Sequence, residues 1–174
     1  MNNDSEECLI QQPIHSLFVS SKLFSMHRKT IITDELGNVA YRSETSAWTM
    51  HDRTRIYDAQ GQFVCEITKK IFSIHERHFV TMADGFKFEL SNELWHVYKD
   101  ITNIEGIGWV LKGNIWNLNF VLIDNDGSEI ARIHQKMFSI HDQYTIDIYK
   151  TEYEKYVIAI LITLKHMIAD RERS

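Results

Sequence analysis

Four histidines recur at one place in a repeated pattern. His27, His51, His75 and His141 each stand three residues after an aromatic residue, namely Phe24, Trp48, Phe72 and Phe138. Neutral imidazoles of this kind suit Zn, Cu or Ni. Equivalent residues of neighbouring hairpins, however, lie two strands apart, about 10 Å at ~4.8 Å per strand, whereas ligands sit near ~2 Å from their ion. A repeat copies its residues whether or not they share a site, so these read as turn-facing or strand-end histidines and no metal is expected. Ser73 and His75 share one strand face instead of opposing each other across a cleft, and no third residue is identified to orient them. The chain has no Gly-rich phosphate loop before a helix, no Gly-x-Ser-x-Gly and no HExxH. Cys65 falls in an apolar alternation and reads as packing. Trp48, Trp95, Trp109 and Trp116 read as core aromatics, with Trp109, close to Gly106 and Gly108, the exception nearest to a ligand contact. No catalytic residue and no cofactor is expected.

A second pattern is basic. Arg28, Lys29, Arg53, Arg77 and Lys99 all fall four or five residues after an aromatic anchor, which predicts that they gather at one end of the fold. Lys22, Lys70 and Lys136, two residues before their anchors, form another recurrent set. Clustered Lys and Arg hold anionic head groups through charge-assisted hydrogen bonds. Asp52, Glu76, Asp100 and Asp142 share the same turns and offset part of that field, so plain solvated charge is the alternative.

The elements that must position these residues come from an internal repeat. Residues 58–75 (DAQGQFVCEITKKIFSIH) and 124–141 (DNDGSEIARIHQKMFSIH) share Asp, Gly, Ile, Lys and Phe-Ser-Ile-His at the same offsets. The anchors Phe24, Trp48, Phe72, Trp95, Trp116 and Phe138 lie 21 to 24 residues apart, and a glycine follows each of the first four by thirteen residues. Each unit reads as two strands and two turns, with Asp-x-x-Gly supplying one turn. Six units give about twelve strands in an antiparallel meander. An open sheet of that size leaves edges, and closing it into a barrel removes them. A barrel that wide needs a plug or becomes a channel.

The plug is predicted over residues 151–170. Thr151 and Glu154 stand at capping-box spacing, and from Tyr156 to Leu164 only Thr163 is polar. An apolar run of more than two turns is buried on every side. Tyr156, Val157, Ile160, Leu161, Leu164 and Ile168 are its expected core residues. Val and Ile also favour strands, so a buried strand is the competing reading. Lys165-His166 stop the run well short of the ~20 residues of a membrane span.

Composition agrees with one globular domain, residues 16–174, after a lead-in tail of residues 1–15. The chain has 174 residues, 44% hydrophobic and 11% aromatic, with one Pro and seven Gly. Its charge, 19 basic against 24 acidic residues or −5, disfavours nucleic acid as a partner. Cys8 and Cys65 form no disulfide framework, and the acidic N-terminus lacks a signal-peptide layout, so a reduced cytoplasmic setting and a monomer are expected.

The Lys-x-Phe-Ser-Ile-His units, the run Ile104-Glu105-Gly106-Ile107-Gly108-Trp109, the run Lys112-Gly113-Asn114-Ile115-Trp116 and the terminal apolar helix together resemble the LURP-one-related family. That family lies in the tubby C-terminal-like superfamily, related to the phospholipid scramblases, and the likeness is to its small stand-alone bacterial members. It covers roughly residues 17–169. The resemblance implies a twelve-stranded antiparallel barrel around a central hydrophobic helix, and no established enzymatic activity. Its tubby relatives bind phosphoinositides through a basic surface, although their lipid-contacting residues do not map onto this chain. The resulting expectation is a non-catalytic domain that binds anionic phospholipid at its periphery, or else a soluble protein-interaction or regulatory scaffold.

Overall fold

The computed structural model describes residues 11–20, 29–46, 53–70, 77–91, 101–135 and 143–171. The anchors Phe24, Trp48, Phe72, Trp95 and Phe138 lie outside the described residues. So do the four repeat histidines, Ser73, Arg28, Lys99, Lys22, Lys136 and the acidic residues of the same turns.

The first half of the chain forms β1 (His15–Ser20), β2 (Lys29–Thr33), β3 (Val39–Ser46), β4 (Arg53–Asp58), β5 (Phe63–Lys70), β6 (Arg77–Met82) and β7 (Lys87–Ser91). The second half forms β8 (Ile101–Asn103), β9 (Val110–Asn114), β10 (Asn119–Ile123), β11 (Glu129–Gln135) and β12 (Gln143–Ile148). A 3-10 turn, Thr151–Tyr153, then leads into the helix α1 (Glu154–Arg171). The twelve strands make one antiparallel sheet in the order β7-β6-β5-β4-β3-β2-β1-β12-β11-β10-β9-β8. Strand order thus follows chain order as a meander, with the first and last strands joined at the middle of the sheet.

The 24-residue repeat appears as a recurring hairpin loop. Asp34, Asp58 and Asp124 each accept hydrogen bonds at one carboxylate oxygen from the amides two and four residues on. Their own carbonyls accept from Gly37, Gly61 and Gly127. A register shift falls at the strand residue just before each aspartate. The carboxylate therefore satisfies loop amides that leave the ladder, which is why Asp recurs here.

Alternation turns Thr30 and Ile32, Thr54 and Ile56, and His78 and Val80 toward the core. The helix fills that core. Val157, Ile160, Leu161 and Leu164 are buried, as are the residues between them, while Tyr156 and Ile168 are half-buried and pack against the core. The one polar residue of the run, Thr163, returns its hydroxyl to the Ala159 carbonyl at 2.8 Å, so it adds no unsatisfied group. The expected capping box does not form: the 3-10 turn begins without a side-chain cap, and Glu154 is drawn elsewhere. It accepts from Tyr41 Oη at 2.6 Å and pairs with His15 Nε2 at 2.6 Å.

Closure of the sheet into a barrel by a continuous ladder is not found among the described residues. β7 and β8 lie at opposite ends of the strand order, and near them a single bridge joins Glu89 to Glu105. The Ile104–Trp109 run occupies this seam. Gly106, at φ +91, sits where a Cβ would come within 3.2 Å of the Lys87 carbonyl oxygen and Phe88 Cα, so only glycine lets the run approach β7 so closely.

Candidate functional site

The sheet has two unlike ends. The Asp loops surround the start of α1, and the starts of β2, β4 and β6 lie at the other end, beside the close of α1. Lys29, Arg53 and Arg77 are the described members of the basic set and open these three strands.

Register decides whether they meet. Lys29 pairs with Glu44, which pairs with Arg55, so Lys29 is level with a residue two beyond Arg53. Arg53 pairs with Thr68, which pairs with Phe79, two beyond Arg77. The register therefore staggers the three residues by two positions from one hairpin to the next, roughly 12 Å apart. They form a row and not a pocket.

All three point to the outer face, because their strand neighbours Thr30, Thr54 and His78 point in. Arg53 and Arg55 both face Glu66, at 3.5 and 2.9 Å, and Arg77 faces Glu89 at 2.9 Å. A groove of about 390 Å³ on the outer face is lined by Arg53, Arg55, Glu44, Thr45, Ser46 and Tyr57.

Behind this rim the interior holds a polar cluster that the apolar reading of the helix did not anticipate. Lys165 is 3% exposed and donates to Thr30 Oγ1 at 2.5 Å. Thr54 Oγ1 lies 2.7 Å from Thr45 Oγ1 and 3.1 Å from His166 Nε2. Asp170 takes Lys69 Nζ at 3.0 Å and lies 3.7 Å from His78 Nε2. His78 Nδ1 is buried without a hydrogen-bond partner. Burial pushes Lys165 down to about 8. Burial, with the charges of His78 and Lys165, pushes His166 down to about 4. Burial alone would raise Asp170, but hydrogen bonds from His78 and Lys69 bring it below its usual value. The sequence signal for this cluster was present: Thr30, Thr54 and His78 are spaced 24 residues apart, in step with the repeat, and Lys165-His166 directly follow the apolar run.

These groups do not assemble a nucleophile that a substrate can reach. Thr54 and His166 stand at hydroxyl–imidazole distance, but Thr54 is buried. On the outer wall Ser16 donates to Asp147 at 2.5 Å and His134 Nε2 lies 3.0 Å from the same carboxylate. The carboxylate stands between the two, so the hydroxyl meets Asp147 and not the imidazole, which is not the serine–histidine–carboxylate order of an activated nucleophile. Cys65 is buried and its thiol is pushed up to about 12, far from thiolate chemistry. Trp109 is buried, edge-on to Tyr153 at 5.0 Å, so it belongs to the core and is no ligand platform. Trp116, expected in the core as an anchor, is 38% exposed, because it lies in the β9–β10 turn and not on an inward strand position. No group of three or more His, Cys, Asp or Glu is placed to hold a metal among the described residues, and no helix there is long and apolar enough to cross a membrane.

The profile of the LURP-one-related family matches residues 15–165. The chain belongs to the LURP-one-related family. Among relatives of this LURP-one-related protein is the uncharacterized protein YxjI of Bacillus subtilis (strain 168), 22% identical over 156 residues. That match spans 90% of this chain and 95% of YxjI, fitting the small bacterial type. An X-ray structure of a protein from Arabidopsis thaliana superposes with a TM-score of 0.56 at 13% identity, covering 90% of this chain and 94% of that one. At that identity the likeness extends to the fold.

Proposed function

We propose that this LURP-one-related protein is a non-catalytic cytoplasmic module that docks peripherally on anionic phospholipid head groups through the basic rim. In this reading the sheet is a closed barrel whose seam is the β7–β8 boundary. The row of Lys29, Arg53 and Arg77 carries it. At roughly 12 Å spacing each cation meets a separate head group, so binding is spread over a lipid surface. Glu66 and Glu89 compete for the two arginines, but half-exposed pairs of this kind are worth under about 1 kcal/mol each. Phosphate oxygens at membrane density displace them.

Co-sedimentation with liposomes of graded anionic content, at low and physiological salt, tests this. Saturable, salt-sensitive binding that falls on Arg53→Glu and Arg77→Glu is expected. Absence of binding at every composition discards the reading. A soluble protein-interaction scaffold is the second reading, favoured by the exposed apolar side chains at the opposite end of the sheet. A partner retained in high salt and insensitive to the arginine substitutions would select it.

A further inference from the structure

We infer that the Asp-loop end of the sheet is a docking surface for a basic amphipathic helix of a protein partner. This deepens the scaffold reading and is independent of the lipid one.

Six large apolar side chains are exposed among the described residues. Ile14, Leu36, Val39, Phe63 and Phe86 lie at the Asp-loop end; Trp116 lies at the other. A single exposed apolar residue needs no explanation, but five gathered at one end do. Leu36 stands at the apex of the β2–β3 loop and is 86% exposed. The repeat generates three of the others: Val39 and Phe63 each follow a loop glycine by two residues, and Phe86 follows Gly85 directly.

The field around these tips is negative. Glu35, Asp84, Asp126 and Glu152 are exposed between them. Of the lysines at this end, Lys150 is engaged with Asp124 and Asp126 and Lys155 lies 3.8 Å from Asp58, so that exposed Lys87 is outnumbered by the four carboxylates. The Asn38 side chain holds Asp34 below the usual carboxylate range, and hydrogen bonds with Asp124 and Ser128 do the same for Asp126, so both stay ionised. Apolar tips in a negative field are repelled by an anionic bilayer and fit a cationic partner.

Spacing narrows the partner further. Tips of adjacent hairpins are two strands apart and carry the same two-residue offset as the strands below them, so they stand roughly 12 Å apart. Eight residues of an α-helix advance about 12 Å. A helix with apolar residues recurring every seven or eight positions and Lys or Arg between them thus matches both the tips and the carboxylates.

The probe is a fluorescent helical peptide of about 18 residues, made of leucine and lysine with the leucines on one face, titrated by anisotropy. Saturable binding weakened by salt is expected. Leu36→Ser with Phe63→Ser should weaken it about tenfold, a loss of ~1.4 kcal/mol. Asp84→Asn with Glu152→Gln should flatten the salt dependence, while Arg53→Glu leaves binding unchanged. Circular dichroism establishes that each variant folds. Binding insensitive to the first two pairs overturns the inference. So does a dimer dissolved by Leu36→Ser, which would make the occupant a second copy, or vesicle binding lost with that change. A high-salt partner that ignores these substitutions would leave the scaffold reading standing and remove this surface from it.

Discussion

Lys165 Nζ and Thr30 Oγ1 meet at 2.5 Å inside the protein, tying the end of α1 to the start of β2 across 135 residues of chain. Burial holds the Lys165 amine at about 8 instead of its ordinary 10.5. Between those values the unfolded chain carries a proton that the folded one has released, so stability rises with pH through that window. The slope is at most about 1.4 kcal/mol per pH unit. Below about 8 both states are protonated and the cost of burying the charge is fully present. Urea denaturation from pH 7 to 10 should show the rise in the native protein and a flatter profile in Lys165→Met. Equal slopes would mean that the amine is not desolvated.

Glu154 is the second tie between helix and sheet. It accepts from Tyr41 and pairs with His15, and both contacts are 2.6 Å. Glu154→Ala should cost about 2 kcal/mol, the range for a hydrogen bond to a charged group. Tyr41→Phe should cost less, since it removes one of the two partners. A Tm series of both variants checks the order, and a neutral Glu154→Ala would show that the pair adds nothing.

Ile160 is 1% exposed at the centre of α1. Ile160→Asp places an unpaired charge there and should abolish cooperative folding. Leu164→Ala should leave a folded protein weakened by about 2–5 kcal/mol. A soluble Ile160→Asp variant with a sharp thermal transition would contradict the burial of the helix.

Two glycines of positive φ should respond differently to alanine. At Gly37 an added Cβ meets nothing within 4 Å, so the cost is the backbone conformation, about 1–2 kcal/mol. At Gly106 the same conformational cost is joined by tight contacts of 3.2 Å with the Lys87 and Phe88 backbone, which must give way slightly. Gly106→Ala should therefore lower the denaturation midpoint clearly more than Gly37→Ala, and equal shifts would mean that the seam yields easily.

The repeat was legible because it is written in turn chemistry. Asp58 and Gly61 announce a loop through residue type alone, and twelve strands follow from counting such units. The helix was legible because nine residues with one polar member cannot face water. Glu154 was misread for a physical reason: helix-end spacing describes local partners, and Tyr41 with His15, distant in sequence, displaced them. Trp116 was misplaced because a tryptophan reads as core by residue type, whereas it lies in the β9–β10 turn, where the chain faces outward. The interior cluster stayed hidden because Lys165 and His166 look like the polar stop of an apolar run. Only the inward direction of Thr30, Thr54 and His78 reveals that polar partners await them inside.

The junction of β1 with β12 at the middle of the sheet, and the position of α1 after it, set an order of events during synthesis. Hairpins β2–β3, β4–β5 and β6–β7 leave the ribosome with their inward Ile32, Ile56 and Val80 uncovered, because the helix that covers them is made later. Until residues 143–171 emerge, these faces have no core to join. Nascent chains stalled before that point should therefore recruit chaperones or protease in a way that chains carrying α1 do not, and the hairpins wait on the synthesis of α1 before they can fold.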